Sequence, residues 1–305
     1  MGNIISNNFE EDISKLPEAD VLKENLNKLW VLDKSNLSLD EIQSNYFKYA
    51  KLLTHTGVLL DAATINKLTV FRSRINVNEQ NEDVGLIRTF SYPSTDFCKQ
   101  NGRANIKGTT VFYGADTVTS AIAEIRPKAD DLLYVGAWKI NCNRECMMRP
   151  CISMNLPQGN PWTSPASKYF KKMVDYATSH RRDYVEQLIL LYDFIAEIFE
   201  KEPAPYYLSS WLANRALYGL KNFDFLVYPS FALNSNRCNL AFHPNFVDQF
   251  FQLHKVFKLR ITEISKETAY YSILKVGLLR GSHIIWQPPS SENLEYLPGK
   301  PNKKE

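Results

Sequence analysis

The stretch GRANIKGTTVFYGADTVTSAIAEIRP (residues 102–127) combines a Gly-bounded turn, an apolar strand and a short helix. The piece TTVFYGA is β-branched and aromatic, which predicts a strand. The piece DTVTSAIAEIRP predicts a helix that Asp116 or Thr117 caps and that Pro127 ends. A strand followed at once by a helix indicates an α+β or mixed fold.

Strand and helix signals interleave through the rest of the chain, which supports the same fold class. Predicted strands are KLTVFRSRI (67–75), DDLLYVGAWKINC (130–142), FDFLVYPS (223–230) and CNLAFHP (238–244). Predicted helices are SHRRDYVEQLILLYDFIAEIFEKE (179–202) and YYLSSWLANRALY (206–218), whereas the Pro-rich residues 143–163 are typical of a loop.

The first 65 or so residues predict two amphipathic helices, within LPEADVLKENLNKLWVL (16–32) and within residues 35–57, the second ending at Gly57. This front end holds no catalytic constellation, so it is interpreted as a packing or partner-docking element. The predicted organisation is therefore a helical N-terminal extension (1–66), a main α+β domain (67–290) and a flexible basic tail (291–305).

The composition is typical of a soluble globular protein, with 44% hydrophobic and 23% charged residues. A net charge of +3 is too small to indicate binding to nucleic acid or to an anionic membrane. The sequence has neither a membrane-spanning apolar run nor a signal peptide, so we expect a cytoplasmic location.

Common catalytic and metal-binding motifs are absent from the sequence. It lacks a dinucleotide-binding glycine motif, a phosphate-binding loop, a His-Glu-x-x-His pair and a Gly-x-Ser-x-Gly elbow. Cys142, Cys146 and Cys151 cluster, but their spacing differs from that of structural zinc sites, so reduced thiols are favoured. A metallohydrolase or a Ser-His-Asp hydrolase therefore has little support.

Four polar residues stand where chemistry would be possible. Arg103 lies in the Gly-bounded turn and offers a planar fork to phosphate, and Tyr113 ends the next strand with a ring face for stacking. Glu124 is expected in the middle of the helix among small and apolar neighbours, and Ser230 ends an apolar strand. Taken singly, each also has a structural interpretation, such as an ion pair between Glu124 and Arg126.

Together these residues carry a resemblance to a known family. The segments VFRSRI (70–75), 102–127 and FDFLVYPSFALNSNRCNLAF (223–242) are similar to the RES-domain family, over roughly residues 68 to 245. That family is named for an Arg, a Glu and a Ser, which Arg103, Glu124 and Ser230 match. The Gly-Arg-x-Asn-x-x-Gly turn and the position of Tyr113 also fit.

The resemblance implies an ADP-ribosyltransferase-like mixed β core with surrounding helices. It implies that NAD is the substrate, with nicotinamide released and no cofactor or metal needed. Many members are toxins of bacterial toxin–antitoxin systems that deplete NAD, so an Xre-type helix-turn-helix antitoxin is the implied protein partner. The oligomeric state stays open, and neither direct nucleic-acid binding nor membrane binding is expected.

Residue roles follow from the resemblance and from the chemistry of the bond. Breaking the nicotinamide–ribose bond builds positive charge on the ribose, which Glu124 would stabilise. Arg103 would hold the pyrophosphate, Tyr113 would stack on nicotinamide, and Ser230 would hydrogen-bond a ribose hydroxyl or the nicotinamide amide. The further substrate-binding residues are expected to be Arg72, Arg74, Asn105 and Asn239.

The sequence departs from the family pattern in three respects. Ala104 follows the arginine where the family often has an aromatic residue, the segment between Glu124 and Ser230 is longer than in compact members, and the helical front end is additional. Substrate detail and regulation are therefore open. So is the acceptor, which can be water, phosphate or a protein side chain.

Two alternatives to NAD hydrolysis or phosphorolysis remain from the sequence. One is a mono-ADP-ribosyltransferase that modifies a protein target. The other is a non-catalytic RES-like module that binds a nucleotide or a partner, or that only assembles. Retention of the Arg, Tyr, Glu and Ser set favours an enzyme.

Overall fold

Strands from both ends of the chain form one sheet in the computed structural model, which describes residues 2–4, 15–52, 57–180, 184–219, 223–264 and 269–294. The strands are β1 (Gly2–Ile4), β2 (Gly57–Leu60), β3 (Thr69–Ile75), β4 (Phe112–Ala115), β5 (Leu132–Ile140), β6 (Cys146–Pro150), β7 (Phe225–Pro229), β8 (Cys238–Phe242), β9 (Phe251–Ile264), β10 (Ala269–Arg280) and β11 (His283–Gln287). Their order is β1-β2-β6-β7-β8-β4-β3-β5-β9-β10-β11. Strands β6 and β7 are parallel, and the other neighbouring pairs are antiparallel.

Helices surround this sheet. Those of the described residues are α1 (Ala19–Val31), α2 (Leu39–Ala50), α3 (Ala62–Ile65), α4 (Val118–Glu124), α5 (Thr163–His180), α6 (Val185–Lys201), α7 (Tyr207–Leu217) and α8 (Pro244–Phe250). Short 3₁₀ turns occur at Ile87–Phe90, Thr95–Phe97 and Phe231–Leu233. The predicted α+β class is therefore confirmed.

The central strands are buried on both faces. Every residue of β7 and of β8 is buried, which explains why both read as continuous apolar runs. Helix α4 covers a small second core with Phe71 and Ala115, against β9 and β10. The larger core lies among the remaining helices and the rest of the sheet.

The N-terminal helices are close to their predicted positions. Helix α1 buries Leu22, Leu26 and Leu29, and a capping box of Ser38 and Glu41 begins α2. The predicted end at Gly57 is wrong, because α2 stops at Ala50 and Gly57 begins β2. A side chain at position 57 would overlap the ring of Phe223, with its Cβ only 2.3 Å from a ring carbon. Tight packing therefore explains this glycine.

Two further local predictions need correction. Residues 146–150 were expected in a loop but form β6, because β2 and β7 pair with it on either side. Glu124 was expected in the middle of its helix and is instead the last residue of α4. Its side chain is exposed.

The C-terminal third of the domain supplies one side of the sheet. Strands β9, β10 and β11 form a meander with register shifts in the pairing of β9 and β10. Most of the predicted basic tail (291–305) lies outside the described residues. Among the described residues, every helix is too short or too polar to cross a lipid bilayer.

Candidate active site

Hydrogen bonds of the Tyr113 hydroxyl stabilise the turn around Arg103. Gly102 and Asn105 hydrogen-bond through their backbones, with N–O distances of 2.9 and 3.4 Å. The Tyr113 hydroxyl accepts a hydrogen bond from the backbone N–H of Ala104 at 2.7 Å and donates to Oδ1 of Asn105 at 2.8 Å. These contacts fix the backbone on both sides of Arg103.

Gly102 is required by this arrangement. A Cβ at this position would lie 2.4 Å from Asn105 Oδ1 and 2.6 Å from the Tyr113 hydroxyl oxygen. Burial raises the pKa of Tyr113 well above its usual value, so the hydroxyl is protonated and can donate. The Tyr113 hydroxyl is thus already committed to the turn, and its ring is the part available for another contact.

Asn105 is also committed to the protein. Its Nδ2 donates to the carbonyl oxygens of Ile106 at 3.1 Å and Thr109 at 3.0 Å, and its Oδ1 accepts from Tyr113. Asn105 is 7% exposed. The geometry gives it a structural role in the turn, where the sequence suggested direct contact with substrate.

The side chains of Glu124, at the end of α4, and Ser230, just after β7, form a hydrogen bond. Ser230 Oγ donates a hydrogen bond of 2.5 Å to Oε1 of Glu124. Ser230 is buried and Glu124 is exposed, so the pair links the protein interior to solvent. A hydroxyl that donates to a carboxylate restrains the direction of that carboxylate.

The loop after β7 fixes Ser230 by its backbone. Its N–H donates to the carbonyl oxygen of Arg237 and its carbonyl accepts from the N–H of Ser235, both at 2.9 Å. Helix α4 packs against the following 3₁₀ turn (Phe231–Leu233), where the Arg126 guanidinium lies 5.6 Å from the ring centroid of Phe231. The turn therefore sets the distance between α4 and Ser230.

Tyr228 shares an environment with the predicted residues. Its pKa is raised well above the usual value, mainly by burial and further by Tyr113 and Glu124, while Arg103 opposes the rise. In the strand register Tyr113 and Leu226 both pair with Ala241, so Tyr113 and Tyr228 lie on the same face of the sheet. Arg103 and Glu124 are near enough to affect the same hydroxyl, and Ser230 joins this cluster around Tyr228 through its hydrogen bond to Glu124.

Asn239 lies on the same face of the sheet as this cluster. In the strand register Asn239 pairs with Ala115 and with Tyr228, and residues opposite each other on antiparallel strands share a face. Tyr113 is two residues from Ala115 and so has the same orientation. Asn239 is 4% exposed, and its Oδ1 has no hydrogen-bond partner among the described residues. A buried acceptor without a partner is unusual and can serve a ligand.

Arg72 and Arg74 are on the opposite face. Phe71 pairs with Ala115, so the next residue, Arg72, points away from the face that carries Tyr113 and Asn239. Its guanidinium donates to the carbonyl oxygens of Ser91 at 3.0 Å and Tyr113 at 3.1 Å. Burial lowers the pKa of Arg72 to about 10.

Arg74 has the same orientation as Arg72 and forms an ion pair of 2.7 Å with Glu82. The structure therefore does not group either arginine with Glu124 and Ser230. Arg72 reaches the site only through the carbonyl oxygen of Tyr113, as a support for the strand.

Two larger clefts lie away from this cluster. One of about 1220 Å³ is bordered by Arg72, Arg74 and Asp248, and one of about 460 Å³ by Asp224 and His243. Neither lining includes the Glu124 and Ser230 pair. The cluster around Tyr228 is thus defined by contacts and charges, and the clefts are separate features.

The cysteines form no disulfide in the described part of the chain. The five cysteines are free, and burial raises the pKa of Cys146 to about 12 and of Cys151 to about 11. In residues 2–4, 15–52, 57–180, 184–219, 223–264 and 269–294, no group of His, Cys, Asp and Glu is placed to hold a metal ion.

Sequence reasoning missed two tyrosines of the site. Tyr228 stands two residues before Ser230 in YPS, so strand periodicity alone would have placed both side chains on one face. Tyr206, whose ring lies 4.6 Å from the Arg103 guanidinium, had no such signal because the contact joins distant segments.

In comparisons with known proteins, no family model and no curated protein matched the chain. Inference about function therefore depends on the arrangement of its own residues.

Proposed function

We propose that this chain cleaves the nicotinamide–ribose bond of NAD and so depletes NAD, as a toxin-like enzyme with an ADP-ribosyltransferase-like core. The observation that carries the proposal is the hydrogen bond from Ser230 to Glu124 across 106 positions of sequence. Two residues that the resemblance assigns to one site are in direct contact, and Arg103 and Tyr113 affect the same buried hydroxyl of Tyr228 as Glu124 does.

Glu124 is the residue proposed to act on the ribose. Departure of nicotinamide leaves positive charge on the anomeric carbon, and a carboxylate nearby stabilises that charge. Nicotinamide leaves as a neutral molecule from a cationic substrate and needs no general acid. One carboxylate can therefore suffice, where glycoside cleavage generally uses two.

The second half of the reaction needs a nucleophile. In hydrolysis, an oxygen of water bonds to the anomeric carbon as the carbon–nitrogen bond breaks, and the water loses a proton to Glu124 or to solvent. The products are ADP-ribose and nicotinamide. In phosphorolysis, a phosphate oxygen takes the place of water, and the products are ADP-ribose 1″-phosphate and nicotinamide.

The remaining residues would bind and orient. Arg103 would hold the pyrophosphate, and the ring of Tyr113 would stack on nicotinamide. Ser230 already donates to Glu124, so its proposed role is to aim that carboxylate. Asn239 has an unpartnered Oδ1 on the same face as Tyr113, which suits a ribose hydroxyl or the nicotinamide amide as donor.

Release of free nicotinamide from NAD tests the proposal. Glu124→Gln keeps the shape and removes the charge, so turnover should fall by ~10²–10³. The matched control is Glu263→Gln, an exposed glutamate on β9, which should retain activity. Wild-type activity in the Glu124 variant, or no nicotinamide release by the wild type, would show the proposal to be wrong.

Product analysis distinguishes the acceptors. Free ADP-ribose indicates hydrolysis, the 1″-phosphate indicates phosphorolysis, and labelled protein indicates ADP-ribosyl transfer. Binding of NAD without any product indicates the non-catalytic module. Growth arrest on bacterial expression, relieved by Glu124→Gln, would support a toxin that an Xre-type antitoxin neutralises.

A further inference from the structure

Arg103 is held at two points by the segment that precedes α7. Its Nη1 donates to the carbonyl oxygen of Glu202 at 3.3 Å, and its guanidinium lies over the Tyr206 ring at 4.6 Å from the centroid. Neither contact involves a carboxylate. Both therefore restrain the side chain without cancelling the charge that an anionic ligand would meet.

The supporting segment is itself tightly defined. Tyr206 has φ 57° and ψ 52°, a left-handed conformation that is uncommon for a bulky residue and costs ~1–3 kcal/mol. Such a conformation persists only where surrounding contacts hold it. The segment thus has a defined backbone at the point from which the Tyr206 side chain projects.

Glu202 supplies part of that hold. Its carboxylate accepts hydrogen bonds from the N–H groups of Leu208 and Ser209, both at 2.8 Å, and from Ser209 Oγ at 2.6 Å. It is 7% exposed and caps the first turn of α7, where a negative charge is favourable. Glu202 therefore ties residues 202–206 to the start of that helix.

Helix α2 and the loop before it pack behind the same helix. The Tyr46 ring of α2 lies 5.0 Å from the ring of Trp211 in α7, and the Tyr207 hydroxyl donates to the carbonyl oxygen of Ser35 at 3.4 Å. Burial lowers the pKa of Lys34, and the charge of Glu202 opposes that shift. The helical front end and the long insertion before Ser230, both additions to the RES pattern, thus meet beside Arg103.

We propose that Tyr206 and Glu202 are positioning residues that hold Arg103 ready for the pyrophosphate of the substrate, braced by α2. This inference rests on the proposed NAD site. A restrained guanidinium loses less conformational freedom on binding, so the gain appears in substrate affinity. The rate of bond cleavage depends on Glu124 and is affected little.

Variants at Tyr206 distinguish a role in positioning Arg103 from a role in folding alone. Tyr206→Leu removes the aromatic face and should raise KM for NAD by about three- to tenfold, with kcat within about twofold of wild type. Tyr206→Phe keeps the ring and should restore the wild-type KM. The proposal is overturned if KM is unchanged in the Leu variant, or if both variants change it equally.

A second measurement does not depend on turnover. Thermal unfolding of Tyr206→Leu, Arg103→Gln and the double variant should be non-additive by about 1–3 °C, because the two side chains lose the same contact. Additive shifts would refute the support of Arg103 by Tyr206. If the wild type releases no nicotinamide, the proposed function fails. The unfolding comparison of the two single variants and the double variant still shows whether Tyr206 supports Arg103.

Discussion

Ser230 and Glu124 form a hydrogen bond of 2.5 Å although 106 positions separate them in sequence. The bond joins the first residue after a central buried strand to the exposed last residue of helix α4. Neither position is needed for packing of that helix, since α4 buries Val118, Ala121 and Ile122. We interpret the contact as one in which Ser230 holds the Glu124 carboxylate in a defined direction.

Ser230→Ala tests how much that direction matters. Loss of a hydrogen bond to a charged group should lower kcat for NAD cleavage by about ten- to a hundredfold, less than the loss in Glu124→Gln. Because Ser230 acts through Glu124, the double variant should be no slower than Glu124→Gln alone. Steady-state nicotinamide release measures all three, and losses that multiply would show independent roles.

Tyr113→Phe tests the support of the arginine turn. The change removes the acceptor of the buried Ala104 N–H and should lower the free energy of unfolding by about 1–3 kcal/mol. The loosened turn holds Arg103 less firmly for the pyrophosphate, so KM for NAD should rise, whereas kcat depends on Glu124 and should change less. Denaturant unfolding gives the stability change.

The matched control for Tyr113→Phe is Tyr207→Phe. The Tyr207 hydroxyl makes one long hydrogen bond of 3.4 Å near the surface, so its loss should cost under about 0.5 kcal/mol. Equal losses in the two variants would contradict the structural role of the Tyr113 hydroxyl.

Local sequence signals predicted much of the fold because they report interactions between near neighbours. The strands that carry Tyr113 and Ser230 follow from β-branched and aromatic runs, and α4 follows from its cap at Thr117. Strand β6 was missed because its stability comes from pairing with β2 and β7, which are remote in sequence. The meander β9–β11 likewise depends on non-local pairing.

The candidate site shows the same division. Glu124 and Ser230 were predicted, with Arg103 and Tyr113, as members of one site, and the structure places Glu124 and Ser230 in contact. The face of the sheet that Arg72 occupies depends on the register of β3 with β4, which the sequence does not define. The contact of Arg103 with Tyr206 depends on how two distant segments pack.

His243→Asn should make the stability less dependent on pH. His243 Nδ1 caps α8 by accepting from the N–H of Asn245, and burial lowers its pKa from 6.5, although Asp224 and Asp248 oppose the shift. Below pH 6.5 the unfolded chain binds this proton more readily than the folded chain, so the contribution of His243 becomes destabilising as pH falls.

Asparagine also caps helices but does not titrate in this range. The wild type should therefore lose stability relative to the Asn variant between pH 8 and pH 5 in denaturant unfolding. An imidazole titration by NMR that places the His243 pKa at or above its ordinary value would contradict this prediction.

Gly102→Ala and Gly108→Ala separate crowding at the site from backbone strain. A methyl group at position 102 would overlap Asn105 and Tyr113, whereas Gly108 has φ 81° with open space around its Cβ direction. Gly108→Ala should cost ~1–2 kcal/mol of stability through strain and leave kcat/KM for NAD near wild type. Gly102→Ala should lower kcat/KM about ten- to a hundredfold, because the displaced turn misplaces Arg103. Thermal unfolding and nicotinamide release measure the two effects, and a Gly108 variant that is equally impaired in kcat/KM would show that stability alone controls activity.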